Sequence, residues 1–576
     1  MREPTRPLPS LVPLPHGGWG VDSYMSSADY TIRGLGLVPP NTIVPIIVVP
    51  GIMGTNLRAK MNPRLGRLND ERNEILTPGA IAWRPPNDIP SAVRDAHVWD
   101  KLSPRDRQKW FDRATLEVDD RGPIVVPQTD DGYVVTEAEL RSRGWGEVHA
   151  ESYGLLLSSL QSQLNQTFGM DEKTHRRFVK PHWKRAMGYD PRKWGVREIA
   201  PLTEAHLENY AKNYYPVYCF GYNWLDDCET SAKLLEKRVA DIIDSWRKLS
   251  RTCEKVILVT HSMGGLVARA CAKRIPGKIA GVIHGAMPAY GAPVAYRRIA
   301  CGTEAFSPSN GVKDDIAGYV IAQILGDSPE KTTPVLATSP GALELLPNHL
   351  YPGPWLHVRV VKVRGQANPA DHERKGGIKP MDEAATDYLK LPSSIAPNPY
   401  DLYRDMRRWY RLIDPHLADP AKKHKKGVLK AITDAIDTAE AFHRSLGDYY
   451  HPNTYVFYGD DRSKLSFGQV RWVARQWGNS ATALTTSNVS TAQILGRSYD
   501  RSRRVIVEGK TDLRFEPDPQ DTRGDGTVPH QSGAGPAGKV KQLFAAQGFD
   551  HQGSYNNSDI LMLTLRLIAK IVQEMS

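Results

Sequence analysis

Val256-Ile257-Leu258-Val259-Thr260-His261-Ser262-Met263-Gly264-Gly265 is an apolar, β-branched run that ends abruptly in small residues. Leu266-Val267-Ala268-Arg269-Ala270-Cys271 follows and has the composition of a buried helix. A strand, a sharp turn and a helix in that order present a serine hydroxyl at the strand's carboxyl end. The serine is held in a strained backbone conformation, which small residues two before and two after it allow. Gly264 occupies the second of those positions. Thr260 stands at the first, where glycine is usual, and fits if its methyl points away from the helix. An ordinary strand-to-helix turn carrying a surface serine is the plain alternative.

The flanking sequence supplies the sheet around this turn. Ile43 to Val49 is a continuous apolar run closed by Pro50-Gly51-Ile52-Met53-Gly54-Thr55, as expected of a central parallel strand entering a tight loop. Tyr153 to Leu164 has the periodicity of an amphipathic helix. Tyr218-Cys219-Phe220-Gly221-Tyr222-Asn223-Trp224 reads as a strand ending in aromatics. Leu235, Val239, Ile242, Ile243 and Trp246 then fall on one face of a helix. Gly281 to Gly285, Val358 to Val363 and Thr454 to Tyr458 are further short strands, and Ile560 to Val572 closes the chain as a helix. Strands alternating with helices predict an α/β fold of the α/β-hydrolase kind, with a doubly wound, mostly parallel sheet.

At 576 residues the chain exceeds one compact core, so large insertions are expected. Residues 1–41, rich in Pro and Gly, read as an extended arm, and 42–576 as one catalytic domain. Insertions interrupt it at about 57–150 (a polar, Trp-containing cap), 365–450 (a helical, basic lid) and 462–520 (a hairpin around Arg504-Val505-Ile506-Val507). Hydrophobic residues make up 40% and charged residues 24%, and no run is long enough to cross a bilayer, which excludes an integral membrane protein of the helical kind. The start of the chain lacks the apolar core of a secretory signal, so a protein made in the cytoplasm is expected. Five cysteines without C-x-x-C spacing speak against a disulfide scaffold and a structural zinc site. The formal charge of +11 favours an anionic partner surface, phospholipid or nucleic acid. No zinc-finger or RNA-binding signature accompanies it, so lipid is preferred and nucleic acid is not expected.

Ester cleavage by serine needs a histidine base and an acid to orient it, in the chain order Ser, acid, His for this fold. Ser262 is the nucleophile. Gly524-Asp525-Gly526 places a carboxylate between two glycines, in a loop able to aim it inward, and Asp525 is the acid. Asp460, directly after the strand 454–458, is the alternative acid. His551, in Gly548-Phe549-Asp550-His551-Gln552-Gly553 ahead of the last helix, is the base. His261 is expected to pack under the turn rather than take the serine's proton. The oxyanion needs preorganised amides, assigned to Met263 and Ile52. No metal or organic cofactor is required by this chemistry.

Taken together, Pro50-Gly51-Ile52-Met53-Gly54-Thr55, Gly221-Tyr222-Asn223-Trp224, the Thr260–Gly265 turn and Gly524-Asp525-Gly526-Thr527-Val528 resemble the lecithin:cholesterol and phospholipid:diacylglycerol acyltransferase-like branch of α/β-hydrolases. Val282–Pro293, Gly341-Ala342-Leu343-Glu344-Leu345-Leu346-Pro347-Asn348 and Phe549–Gly553 resemble more closely the bacterial type VI secretion lipase effectors. That resemblance implies a phospholipase that hydrolyses membrane lipids of rival cells. It further implies delivery to the target periplasm through a secretion spike component, and a cognate immunity protein in the producer. Asn223 stands where the acyltransferase-like pattern usually has Asp, which favours hydrolysis over acyl transfer. Lys422, Lys423, Lys425 and Lys426 are expected to dock on anionic headgroups, or else to be a solvated charge run. Two other readings are a housekeeping lipid acyltransferase or glycolipid deacylase, and a non-catalytic scaffold that binds membrane surfaces.

Overall fold

A computed structural model describes residues 40–60, 76–84, 98–127, 135–171, 176–304, 322, 325–363, 383–477, 482–495 and 501–575, with the short antiparallel pair 12–13 and 19–20. The expected N-terminal arm lies, apart from that pair and residues 40–41, outside the described residues.

Ile46–Val49 (β1), Val217–Cys219 (β2), Val256–His261 (β3), Ile279–Gly285 (β4), Thr454–Gly459 (β5) and Gln542–Ala546 (β6) form one sheet in the order β2-β1-β3-β4-β5-β6. Every pairing in it is parallel. All residues of β1, β3 and β4 are buried, because helices cover both faces. Cys228–Lys248 (α2) and Gly264–Arg274 (α3) contribute to the core on one side, and Ala150–Leu164 (α1) and Ser558–Gln573 (α4) to the core on the other. α2 starts at Asp227, whose side chain accepts from the Thr230 amide, and buries Leu235, Val239, Ile242 and Ile243. Each such side chain contributes about 1.5–3 kcal/mol on burial, so this face holds the helix to the sheet far more strongly than its cap does.

The later insertions differ from the sequence expectation. Leu356–Val363 is a strand, but it leaves the parallel sheet. It runs antiparallel to Glu383–Leu391 and parallel to Val470–Trp477, inside a second, mixed six-stranded sheet completed by Thr511–Pro517, Arg503–Val507 and Gln493–Ile494. Residues 365–450 are therefore not wholly helical. Helices Pro399–Arg404, Pro415–Ala418 and Val428–Leu446 follow the strand 383–391, and residues 364–382 lie outside the described residues. The expected hairpin is present as 503–507 against 511–517, but it is one edge of a shared layer with its own core around Trp355, Trp409, Trp472 and Phe515.

The described part of the cap, 57–150, contains a three-stranded sheet, Leu57–Ala59 between Ile81–Trp83 and Leu116–Val118, and the helix Pro104–Trp110. It is tied to the second insertion and to the helix Pro329–Leu336 ahead of it. Lys423 pairs with Asp112 at 2.5 Å and the Gln108 side chain bonds Ala418 O and Ala421 N, while Lys331 of that helix pairs with Asp100 at 2.6 Å. Among the described residues no helix is long and apolar enough to cross a membrane.

Candidate active site

Ser262 sits between β3 and α3 with φ of +51°, a left-handed conformation that is strained for a residue with a side chain. Its amide donates to Gly285 O at 2.9 Å, which anchors the turn to β4. The packing leaves no room at Gly264, where a Cβ would stand 2.4 Å from Pro50 O and 2.5 Å from Val49 O. Thr260 tolerates its position because its hydroxyl pairs with Nδ1 of His284, its neighbour on β4, at 2.8 Å. Burial, with Arg269 nearby, pushes the His284 imidazole down to about 3, so it stays neutral.

Three side chains from distant parts of the chain meet at this turn. His551 Nε2 lies 2.9 Å from Ser262 Oγ, and His551 Nδ1 lies 2.9 Å from Asp525 Oδ2. The Asp525 carboxylate is fully buried, and its Oδ1 accepts from the Thr527 and Val528 amides at 3.0 and 2.7 Å. With acceptors on both carboxylate oxygens committed in this way, His551 carries its hydrogen on Nδ1 and presents a bare Nε2 to the serine. The Asp525 loop approaches β5 so closely that a Cβ on Gly459 would stand 2.6 Å from Asp525 Cβ. Asp460, the alternative acid, is one residue further and pairs with Arg523 at 2.8 Å.

The 50–54 loop closes the other side of the serine. Gly54 N donates to Gly51 O, Met53 takes φ of +64°, and a Cβ on Gly51 would stand 2.8 Å from Ser262 Cβ. Three aromatic side chains pin the loop. Tyr222 donates to Pro50 O at 2.9 Å, Trp83 to Met53 O at 2.7 Å, and Tyr153 Oη accepts from Gly51 N at 2.9 Å. The amides of Ile52 and Met263 have no protein acceptor among the described residues, and Met263 also stands at the positive end of α3. Trp83 in turn packs against Trp99, Phe111 and Trp224, so the cap's aromatics rest directly on this loop.

His261 lies beneath the serine, buried, with Nδ1 2.8 Å from Tyr153 Oη and Nε2 2.9 Å from His551 O. Burial, with His551 adjacent, pushes its imidazole down to about 3. Tyr153 and Tyr222 were readable in the sequence only as a helix start and part of an aromatic strand end. Their hydroxyl partners are backbone groups and a histidine far along the chain, for which spacing carries no signal. Lys422, Lys425 and Lys426 are exposed, whereas Lys423 is held by Asp112. Among the described residues no cluster of His, Cys, Asp or Glu could hold a metal ion.

The fold is that of an α/β-hydrolase, and the similarities to known proteins given next make the chain an ester hydrolase of the lipase class. The family described as a PGAP1-like alpha/beta domain matches residues 226–303, which span α2, the serine turn and β4. A solved structure described as the Tle4–Tli4 complex matches with 27% identity over 92% of this chain and 99% of that chain, at a TM-score of 0.69. The chain is thus similar, over nearly its whole length, to a type VI secretion lipase effector. Phospholipase PlaB from Legionella pneumophila also matches, with 9% identity over 52% of this chain and 71% of that chain, but its TM-score of 0.14 is too low to argue from. No curated protein matches.

Proposed function

We propose that the chain is a serine phospholipase in which Ser262 is the nucleophile, His551 the base and Asp525 the acid. His551 Nε2 takes the proton of Ser262 Oγ as the oxygen attacks an acyl carbonyl, and the Ile52 and Met263 amides stabilise the oxyanion. Collapse passes that proton to the departing lysophospholipid oxygen and leaves an acyl-serine. Water, deprotonated by His551, then releases the fatty acid and restores the serine. The observation that carries this reading is the unbroken pair of 2.9 Å contacts from Ser262 through His551 to Asp525, with the serine 289 positions from the histidine in the chain.

The effector reading goes further. The enzyme is delivered by a type VI system, through a spike component, into the periplasm of a target cell, where it attacks the membrane as a peripheral protein. The producer is protected by a dedicated partner, as a complex with Tli4 is described for Tle4. Exposed Lys422, Lys425 and Lys426 help hold the enzyme on anionic headgroups, each contributing on the order of 1 kcal/mol near a charged surface. Expression directed to the periplasm of a susceptible bacterium is expected to arrest growth, and Ser262→Ala is expected to be harmless. Equal toxicity of the two forms would end the proposal.

A further inference from the structure

We infer that Tyr153 and His261 are positioning residues, which hold the oxyanion loop and the base His551 in register through one buried chain of hydrogen bonds. The inference rests on the catalytic roles proposed above. Gly51 N–H donates to Tyr153 Oη at 2.9 Å, and Tyr153 Oη lies 2.8 Å from His261 Nδ1. His261 Nε2 lies 2.9 Å from the carbonyl oxygen of His551. That carbonyl can only accept, so the hydrogen of His261 sits on Nε2, its Nδ1 is an acceptor, and the Tyr153 hydroxyl must donate to it. The direction of every link is then fixed from Gly51 to His551. Tyr153 has no choice of state either, because burial holds its phenol well above its usual value and keeps it protonated.

The two ends of this chain matter chemically. Gly51 precedes Ile52, whose amide faces the oxyanion in the proposed mechanism. His551 is held through both of its backbone polar groups: its own N–H donates to Asp525 O at 2.7 Å while its carbonyl accepts from His261. Neither Tyr153 nor His261 touches the nucleophile's hydroxyl in this arrangement, and neither exchanges a proton with substrate. What they set is the distance between an amide donor on β1's loop and a base that arrives 500 residues later. Both are buried, and His261 sits beside Tyr153, His551 and Tyr555 with ring centroids 5.8, 5.0 and 6.1 Å away, so little else can take up the slack.

The test compares Tyr153→Phe, His261→Phe, His261→Gln and the double variant Tyr153→Phe/His261→Phe. Each is assayed for fluorophosphonate labelling and for kcat and KM on a soluble short-chain p-nitrophenyl ester. Rates are expressed per titratable active site, and melting temperatures are recorded. Register loss predicts labelling rates and kcat lowered about 10- to 100-fold per site with KM within about twofold of wild type. His261→Gln retains an N–H for the His551 carbonyl and should recover part of the loss suffered by His261→Phe. Because both residues act through one chain, the double variant should be no more than about threefold worse than the poorer single one. Per-site rates within about threefold of wild type, or penalties that multiply, would overturn the inference. So would a loss confined to the titratable fraction or the melting temperature, which is what a merely structural role produces. Wild-type labelling that Ser262→Ala abolishes tests the underlying mechanism separately, so that its failure is distinguishable from failure of the positioning role.

Discussion

Gly51→Ala should disable the enzyme without unfolding it. Alanine at this position places a Cβ 2.8 Å from Ser262 Cβ and 3.0 Å from His261 Nδ1. Non-bonded carbons settle at about 3.5–4.0 Å, so the two Cβ atoms must separate by roughly 0.7 Å or more. Ser262 is held in its left-handed turn by Gly285 O and cannot retreat freely, while the 50–54 loop is pinned by Tyr222, Tyr153 and Trp83. Whichever side yields, either the serine moves from His551 or the Ile52 amide moves from the oxyanion. Displacements of this size cost about 100-fold in rate, equivalent to about 2.7 kcal/mol of barrier. The overpacking itself costs about 1–3 kcal/mol of stability. The assay is fluorophosphonate labelling and soluble-ester turnover at matched folded concentration. Gly277→Ala serves as the control, since nothing lies within 4 Å of a Cβ there. If Gly51→Ala turns over within about threefold of wild type, the close approach of loop and serine has no functional meaning and the reasoning fails.

Other outcomes follow from the same geometry. Asp525→Asn should lower kcat by about 10³- to 10⁴-fold by disturbing the His551 tautomer, whereas Asp460→Asn should cost less than about tenfold, as measured in the same ester assay. The buried, neutral His284 and His443, pushed down to about 3 and about 4, should make the fold acid-labile. Because their folded values lie below the unfolded value near 6.5, the unfolded chain binds more protons as the pH falls. Their contribution to stability is complete above about pH 6.5 and falls by about 2 kcal/mol per histidine at pH 5. Glu344, raised well above its usual value by burial, opposes this in part, so the net result is a lower melting temperature at pH 5 than at pH 7.5, and a flat profile would contradict it. Replacing Lys422, Lys425 and Lys426 with Gln should weaken binding to anionic vesicles at low salt and leave soluble-ester kcat unchanged. Sedimentation with the vesicles measures the first.

The parallel sheet was legible because its central strands are buried on both faces and so read as unbroken apolar runs, and because the small residues after Val259 mark the turn. Asp525 drew notice through its two flanking glycines, and it lies 2.9 Å from His551 Nδ1. The second sheet was not. Val358 to Val363 announces a strand, but its partners 383–391 and 470–477 are set by long-range pairing that local alternation does not encode, and the intervening helices gave the segment a helical look. His261 was readable as a residue packed under the turn, but its link to Tyr153 was hidden, since a contact across 108 residues leaves no periodic trace.

The most direct test of the account is fatty-acid release from mixed bacterial phospholipid vesicles, with distinguishable chains at the two acyl positions, by wild-type protein and by folded Ser262→Ala. The account predicts release by the wild type at one or both positions and none by the variant. Undiminished release by Ser262→Ala, or no release by folded wild-type protein, would contradict it.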